Sequence, residues 1–176
     1  FRMADLSGWT VGLIGLGHMG VPMARNLARA GAAVHVASRS QEPVAMLAGE
    51  GMTAHKVART LAAAVDAVIV MVTDTDAVDR VLHGPDGVIA GLVPGKLVVD
   101  MSTTKVRETR LWAAEIEAAG CVWVDAPVSG GQVGAEQATL AIMAGGSDAA
   151  FARALPLFET LGRNVTHIGG NGAGQV

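Results

Sequence analysis

The stretch "WTVGLIGLGHMGVPMARNLARAG", Trp9 to Gly31, decides the fold. Its apolar run Thr10–Ile14 has the length and character of a strand. Beyond it Met19, Met23, Leu27 and Ala30 recur at helical spacing, which turns Arg25, Asn26 and Arg29 away from the buried face. Gly31 follows in the position where glycine ends a helix. The turn between strand and helix carries Gly15, Gly17 and Gly20 as G-x-G-x-x-G. Glycines can simply turn a chain, but between a strand and a helix each has a distinct use. The first permits the tight turn, the second lets backbone approach a pyrophosphate, and the third lets helix and strand pack closely. Free amides at the helix start then attract the phosphate charge. Leu16, His18 and Met19 fill the same turn and are read with it as cofactor-binding. His18 has no metal partner in sequence and reads as a residue packing beside the nucleotide or facing solvent.

Outward from this unit, short apolar runs alternate with helical patterns. Further strands are expected at Ala33–Ala37, Ala67–Val72, Leu97–Asp100, Val122–Asp125, Leu140–Met143 and Val165–Ile168. Their central runs are continuously apolar, as parallel strands covered on both faces should be. Helices are expected at about Val44–Glu50, Lys56–Val65, Asp76–Leu82 and Lys105–Ala119. Another starts at Ser147-Asp148, with Phe151, Leu155 and Phe158 on one face and Pro156 as a possible kink. The pattern is that of an α/β, Rossmann-type, doubly wound and mostly parallel sheet, with ligands at the C-terminal strand ends.

The second strand should end beside the adenosine ribose. An NAD site places an acidic residue there, whereas an arginine accommodates the 2′-phosphate of NADP. Here the chain reads "VHVASRSQE", with Ser38, Arg39 and Ser40 and no carboxylate before Glu42. NADP is therefore favoured, with NAD possible. Arg39 could alternatively be a solvated loop residue.

Composition narrows the remaining classes. The 176 residues are 51% hydrophobic and 16% charged, enough for a large core, with 23 glycines and no tyrosine. A net charge of −3 without basic runs argues against nucleic acid and anionic membranes as partners. No apolar stretch approaches the ~20 residues of a membrane span, and no signal-peptide plan opens the chain. Cys121, the single cysteine, reads as a small buried hydrophobe. A cytoplasmic protein is expected, with Met3 as its native start. No metal cluster is apparent.

Two later motifs are "VVDMSTT" (Val98–Thr104) and "VDAPVSGGQVGAEQATLAIMAGG" (Val124–Gly146), followed by the closing "GGNGAGQV". Ser102, Thr103 and Thr104 could cap the following helix or hydrogen-bond a nucleotide. Ser129, Gly130 and Gly131 offer a hydroxyl and open amides, able to nest a small carboxylate or merely to turn the chain. Asp100 and Asp125 each end a strand and read as structural hydrogen-bonding groups.

With the opening unit, these motifs, in this order, resemble the β-hydroxyacid dehydrogenase family, the relatives of 3-hydroxyisobutyrate dehydrogenase and tartronate semialdehyde reductase. The resemblance covers about Val11 to Val176. It implies hydride transfer between nicotinamide and a small 3-hydroxy acid or its semialdehyde. It places cofactor contacts on Thr103 and on Val72 and Thr73, and the substrate carboxylate on Ser129, Gly130 and Gly131. One departure is Ala138, where relatives usually have glycine; it reads as structural.

The resemblance also implies a catalytic lysine just past Val176, on a helix leading to an all-helical domain that completes the pocket and forms a homo-oligomer. Lys56, Lys96 and Lys105 do not match that position and read as solvated. On this reading no catalytic residue falls within the chain. Residues 1–9 are a cloning remnant and lead-in, 10–170 the dinucleotide-binding domain, and 171–176 the start of the interdomain helix; the family's C-terminal helical domain is absent. Alternatives are an imine reductase-like or 6-phosphogluconate dehydrogenase-like relative, or a non-catalytic dinucleotide-binding module.

Overall fold

Parallel strands form where the apolar runs predict them. A computed structural model describes residues 4–176, so the expected start at Met3 lies outside the described residues. Its strands are β1 (Thr10–Ile14), β2 (Ala33–Ala37), β3 (Thr53–Ala54), β4 (Ala67–Val70), β5 (Leu97–Asp100), β6 (Val122–Asp125), β7 (Val128–Ser129), β8 (Leu140–Gly145) and β9 (Gly162–Gly169). They form one sheet in the order β3-β2-β1-β4-β5-β6-β8-β7, with β9 added beside β8. Pairing is parallel from β3 across to β6, and β9 is parallel to β8. β8 runs antiparallel to β6 and β7, so the sheet is mostly parallel, as expected.

The strand order reverses at β1, since β2 lies on one side of it and β4 on the other. In doubly wound sheets that reversal opens a crevice at the C-terminal strand ends.

Helices α1 (Gly20–Arg29), α2 (Gln41–Gly49), α3 (Ala58–Ala64), α4 (Thr75–Leu82), α5 (Val88–Gly91), α6 (Val106–Ala118), α7 (Gly131–Gln137) and α8 (Asp148–Leu161) cover the sheet. Two apolar cores result, one on each face. Period-two alternation assigns the strand residues: Val11, Leu13, Ile69, Val99 and Val124 enter one core, while Val68, Val70, Val98 and Trp123 enter the other. Met23, Leu27 and Phe158 from α1 and α8 fill the first; Leu61, Val78 and Trp112 from α3, α4 and α6 fill the second. Gly12 leaves room for Leu61, whose side chain would have to shift if a Cβ were added there.

Several expectations need correction. β4 ends at Val70, leaving Val72 and Thr73 in the loop beyond it. Asn26 is buried, because its Nδ2 donates to the Ala135 carbonyl at the end of α7 (2.8 Å). Lys96 is buried too, its Nζ donating to the Ala62 and Ala63 carbonyls at 2.7 and 2.8 Å and so capping α3. α8 runs through Pro156 to Leu161, and its buried face is Ala154, Leu157, Phe158 and Leu161 rather than one centred on Leu155. Ser147 does cap it, accepting from the Ala150 amide at 3.1 Å. Gly31 takes the left-handed conformation its position called for (φ 104°).

Candidate functional site

The three motif glycines are held differently. Gly15 adopts φ 104°, and a Cβ there would overlap the Met71 carbonyl oxygen. A Cβ at Gly20 would overlap the Gly15 carbonyl oxygen, so α1 starts directly against the turn. A Cβ at Gly17 would meet nothing within 4 Å. Packing therefore demands the first and third glycines, while the second opens on empty space. Around that space the amides of Gly17, His18, Met19 and Gly20 have no protein acceptor among the described residues. Met19 caps α1 without a side-chain hydrogen bond. Bare donors at a helix start, beside a glycine with no side chain in the way, fit a phosphate group.

This turn forms one wall of a cleft of about 1040 Å³ at the C-terminal edge of the sheet. Gly15, Leu16, Gly17, His18, Met19 and Gly20 line it, as do Ser38, Arg39 and Ser40 after β2 and Val72, Thr73 and Thr103 farther along. The fold thus brings every sequence-predicted cofactor residue to one cavity. Sequence reasoning missed the opposite wall, where Ala77, Arg80, Val81 and His83 of α4 and its C-terminal cap line the same space. Lys56, read as merely solvated, also faces the cleft, so with Arg39 and Arg80 three cations border it. No motif signals these residues; only packing beside the sheet edge does.

Thr103 is exposed at the cleft, whereas Ser102 and Thr104 are buried. None of the three caps α6, which follows Lys105 without a side-chain cap. Ser102 Oγ instead accepts from the Val72 amide at 2.9 Å, and Thr104 Oγ1 pairs with Thr109 Oγ1 at 2.7 Å.

Ser129 ends the short β7, whose neighbour Val128 lines the cleft. Ser129, Gly130 and Gly131 are exposed just beyond and do not themselves line it. Gly130 and Gly131 have φ 134° and 61°, conformations that favour glycine. Ala138 closes α7 in the left-handed region at φ 57°, the single non-glycine residue with positive φ among those described. Glycine is the residue this geometry prefers.

The family model for the NAD binding domain of 6-phosphogluconate dehydrogenase matches residues 10–169. Over 166 residues the chain is 47% identical to the 2-hydroxy-3-oxopropionate reductase of Escherichia coli and 42% identical to the NAD-dependent L-serine dehydrogenase of Pseudomonas aeruginosa. The chain belongs to this NAD-binding family. Each of those matches covers 94% of the chain but 56% of the relative, so the chain spans little more than half their length. A solved 3-hydroxyisobutyrate dehydrogenase from Mycobacterium tuberculosis, with L-serine, superposes with a TM-score of 0.88 at 36% identity, covering 99% of this chain and 57% of that one.

In this NAD(P)-binding domain two carboxylates titrate upward at neighbouring strand ends. Asp100 and Asp125 end β5 and β6 in register with one another. Asp100 is fully buried; its Oδ1 accepts from the Ser102 amide at 3.0 Å, and its Oδ2 has no partner. Burial, reinforced by the Asp125 charge, pushes its pKa up to about 7 against the pull of Ser102. Asp125 is also raised by burial, although the Gly172 and Gly174 amides donate to it at 2.8 and 3.0 Å. These bonds give Asp125 the structural role expected of it. His83 of the α4 wall bonds Glu115 of α6 at 2.9 Å; burial alone would lower its pKa, but Glu115 and Asp79 together raise it. Among the described residues no cluster could hold a metal ion.

Proposed function

We propose that the cleft binds NADP, and that the chain is the cofactor-binding part of an oxidoreductase acting on small 3-hydroxy acids or their semialdehydes. The observation that carries this is the contrast within the glycine turn: Gly15 and Gly20 are closed by backbone, while Gly17 opens on the cleft among unpaired amides. In this reading Gly15, Leu16, Gly17, His18, Met19 and Gly20 surround the pyrophosphate. Ser38, Arg39 and Ser40 take the 2′-phosphate, supported by the neighbouring charge of Lys56. Val72, Thr73 and Thr103 follow the cofactor toward its nicotinamide. Ser129, Gly130 and Gly131 hold the substrate carboxylate through a hydroxyl and open amides. Bound nicotinamide supplies or accepts the hydride.

No residue of the chain is assigned the proton transfer. Lys96 is occupied in capping α3, and Lys56 borders the cleft far along the sequence from the family's lysine position. Residues 10–170 are the dinucleotide-binding domain and 171–176 lead into the next helix. This stretch by itself is expected to bind cofactor without turnover. In the whole protein, helices beyond it complete the substrate pocket and form a homo-oligomer. No helix among the described residues is long and apolar enough to cross a membrane, and the buried, unpaired Cys121 suits a cytoplasmic setting.

The test is titration with NADPH and with NADH, followed by reduced-nicotinamide fluorescence. Tighter NADPH binding that Arg39→Asp abolishes is the expected result. Equal or NADH-favoured binding would remove Arg39 from the 2′-phosphate site. Binding of neither would overturn the dinucleotide reading.

A further inference from the structure

We infer that Gln175 is a positioning residue for the cofactor site: its carboxamide fixes the Ser102–Thr104 turn that presents Thr103 to the cleft. The inference rests on the dinucleotide reading of that cleft. Gln175 Nε2 donates to the Ser102 carbonyl at 2.7 Å, and Gln175 Oε1 accepts from the Thr104 amide at 3.0 Å. One planar group thus grips the residue before Thr103 and the residue after it.

The Ser102 amide and both hydroxyls are also engaged. The Ser102 amide donates to Asp100 at 3.0 Å, and its hydroxyl accepts from the Val72 amide at 2.9 Å. The Thr104 hydroxyl pairs with Thr109 at 2.7 Å. Thr103 alone is left exposed between them, and its amide has no acceptor among the described residues. A loop tied at both flanks and bare at its centre presents that centre in a set place.

The grip is worth something only if Gln175 is itself anchored. It stands in the 3-10 turn Ala173–Gln175, with its amide donating to the Gly172 carbonyl at 3.1 Å. Both oxygens of Asp125, at the end of β6, hold that turn through the Gly172 and Gly174 amides. Gly174 is pressed so close that a Cβ would overlap the Met143 carbonyl oxygen. The end of β6 therefore sets the Gln175 turn, and Gln175 sets the loop after β5. Only a side chain with a donor and an acceptor on one short, flat head can bridge a carbonyl and an amide two residues apart in this way.

The experiment compares the chain with Gln175→Met, which keeps length and loses both bonds, and Gln175→Glu, which keeps the acceptor and loses the donor. NADPH affinity is read by titration, and backbone amide exchange is resolved by residue. Losing both bonds is expected to weaken NADPH binding about tenfold, and Gln175→Glu to fall between. The exchange pattern separates positioning from a general loss of stability: Thr104 should be protected in the free protein and exposed in Gln175→Met, while the α1 amides stay unchanged. Unchanged NADPH affinity in Gln175→Met would overturn the inference, as would a Thr104 amide that exchanges like open loop in the unsubstituted chain. That last reading needs no variant to fold. If the unsubstituted chain binds no NADPH, the cofactor reading fails, and the exchange data still decide whether Gln175 holds the loop.

Discussion

Replacing Gly17 by alanine should leave the fold intact and remove nucleotide binding, whereas the same change at Gly15 or Gly20 should damage the fold. The added methyl at position 17 would touch no atom within 4 Å, and Gly17 is not among the residues with positive φ. The folded state therefore suffers no clash, and restriction of the unfolded chain contributes about 0.4–1 kcal/mol in favour of folding. For a chain of this size that is a rise of roughly 1–4 °C in Tm. The same methyl stands where a pyrophosphate would meet the turn. Losing two charge-assisted bonds from the exposed amides, at about 1.5–3 kcal/mol each, weakens binding at least roughly 100-fold.

At Gly15 the methyl would overlap the Met71 carbonyl oxygen in a backbone conformation with φ 104°, and at Gly20 it would overlap the Gly15 carbonyl. Either substitution should cost about 2–4 kcal/mol, roughly 5–12 °C in Tm. The assay is thermal unfolding with and without NADPH. Ligand at 100 times its Kd adds about 2.7 kcal/mol to an intact site, and Gly17→Ala should lose that gain while its ligand-free midpoint holds. A collapsed ligand-free midpoint in Gly17→Ala, or an NADPH gain equal to that of the unsubstituted chain, would refute the division of labour among the glycines.

Ala138→Gly should raise stability, because the left-handed conformation at φ 57° costs a Cβ-bearing residue about 1–2 kcal/mol and the freer unfolded chain returns only about 0.4–1 kcal/mol of that. A Tm rise of roughly 1–4 °C is expected, and a fall would show that the corner is unstrained. Asp100→Asn should flatten the pH profile of stability. The folded carboxyl, raised by burial from 3.8 to about 7, holds a proton that the unfolded chain releases, so stability declines as pH rises between those values and levels off above them. Urea midpoints from about pH 4 to about pH 8 should fall more steeply in the unsubstituted chain than in Asp100→Asn, the difference between the two profiles being the Asp100 contribution, since Asp125, His83, His35 and His55 titrate in both. Identical profiles for the two chains would place the Asp100 carboxyl in contact with water.

β1, β2, β5 and β6 occupy the residues their apolar runs predicted, because strands buried on both faces leave an uninterrupted signature. β3, with only Thr53 and Ala54, is exposed and carries no such signature; it exists because β2 offers an edge beside it. β7 and the one-turn α5 are likewise products of their neighbours. The polar residues Asn26 and Lys96 sit inside because helix ends from distant parts of the chain present bare carbonyls to them. No local pattern can announce such a partner. At the site the asymmetry is the same. Glycines constrained by close approach left a readable motif, while the α4 wall borders the cleft through residues with no more than ordinary helical patterning.

The bond from Asn26 to Ala135 has a mechanical consequence. It fastens α1, which stands on the glycine turn, to α7, which stands on the Ser129–Gly131 turn, so the cleft wall and the turn just beyond it form one jaw. The facing jaw is riveted separately: Trp112 Nε1 donates to Asp79 at 3.0 Å and His83 bonds Glu115, locking α4 to α6. The two jaws meet through the sheet they share. The spacing of groups along either jaw is therefore held by bonds between helices rather than by the loops alone.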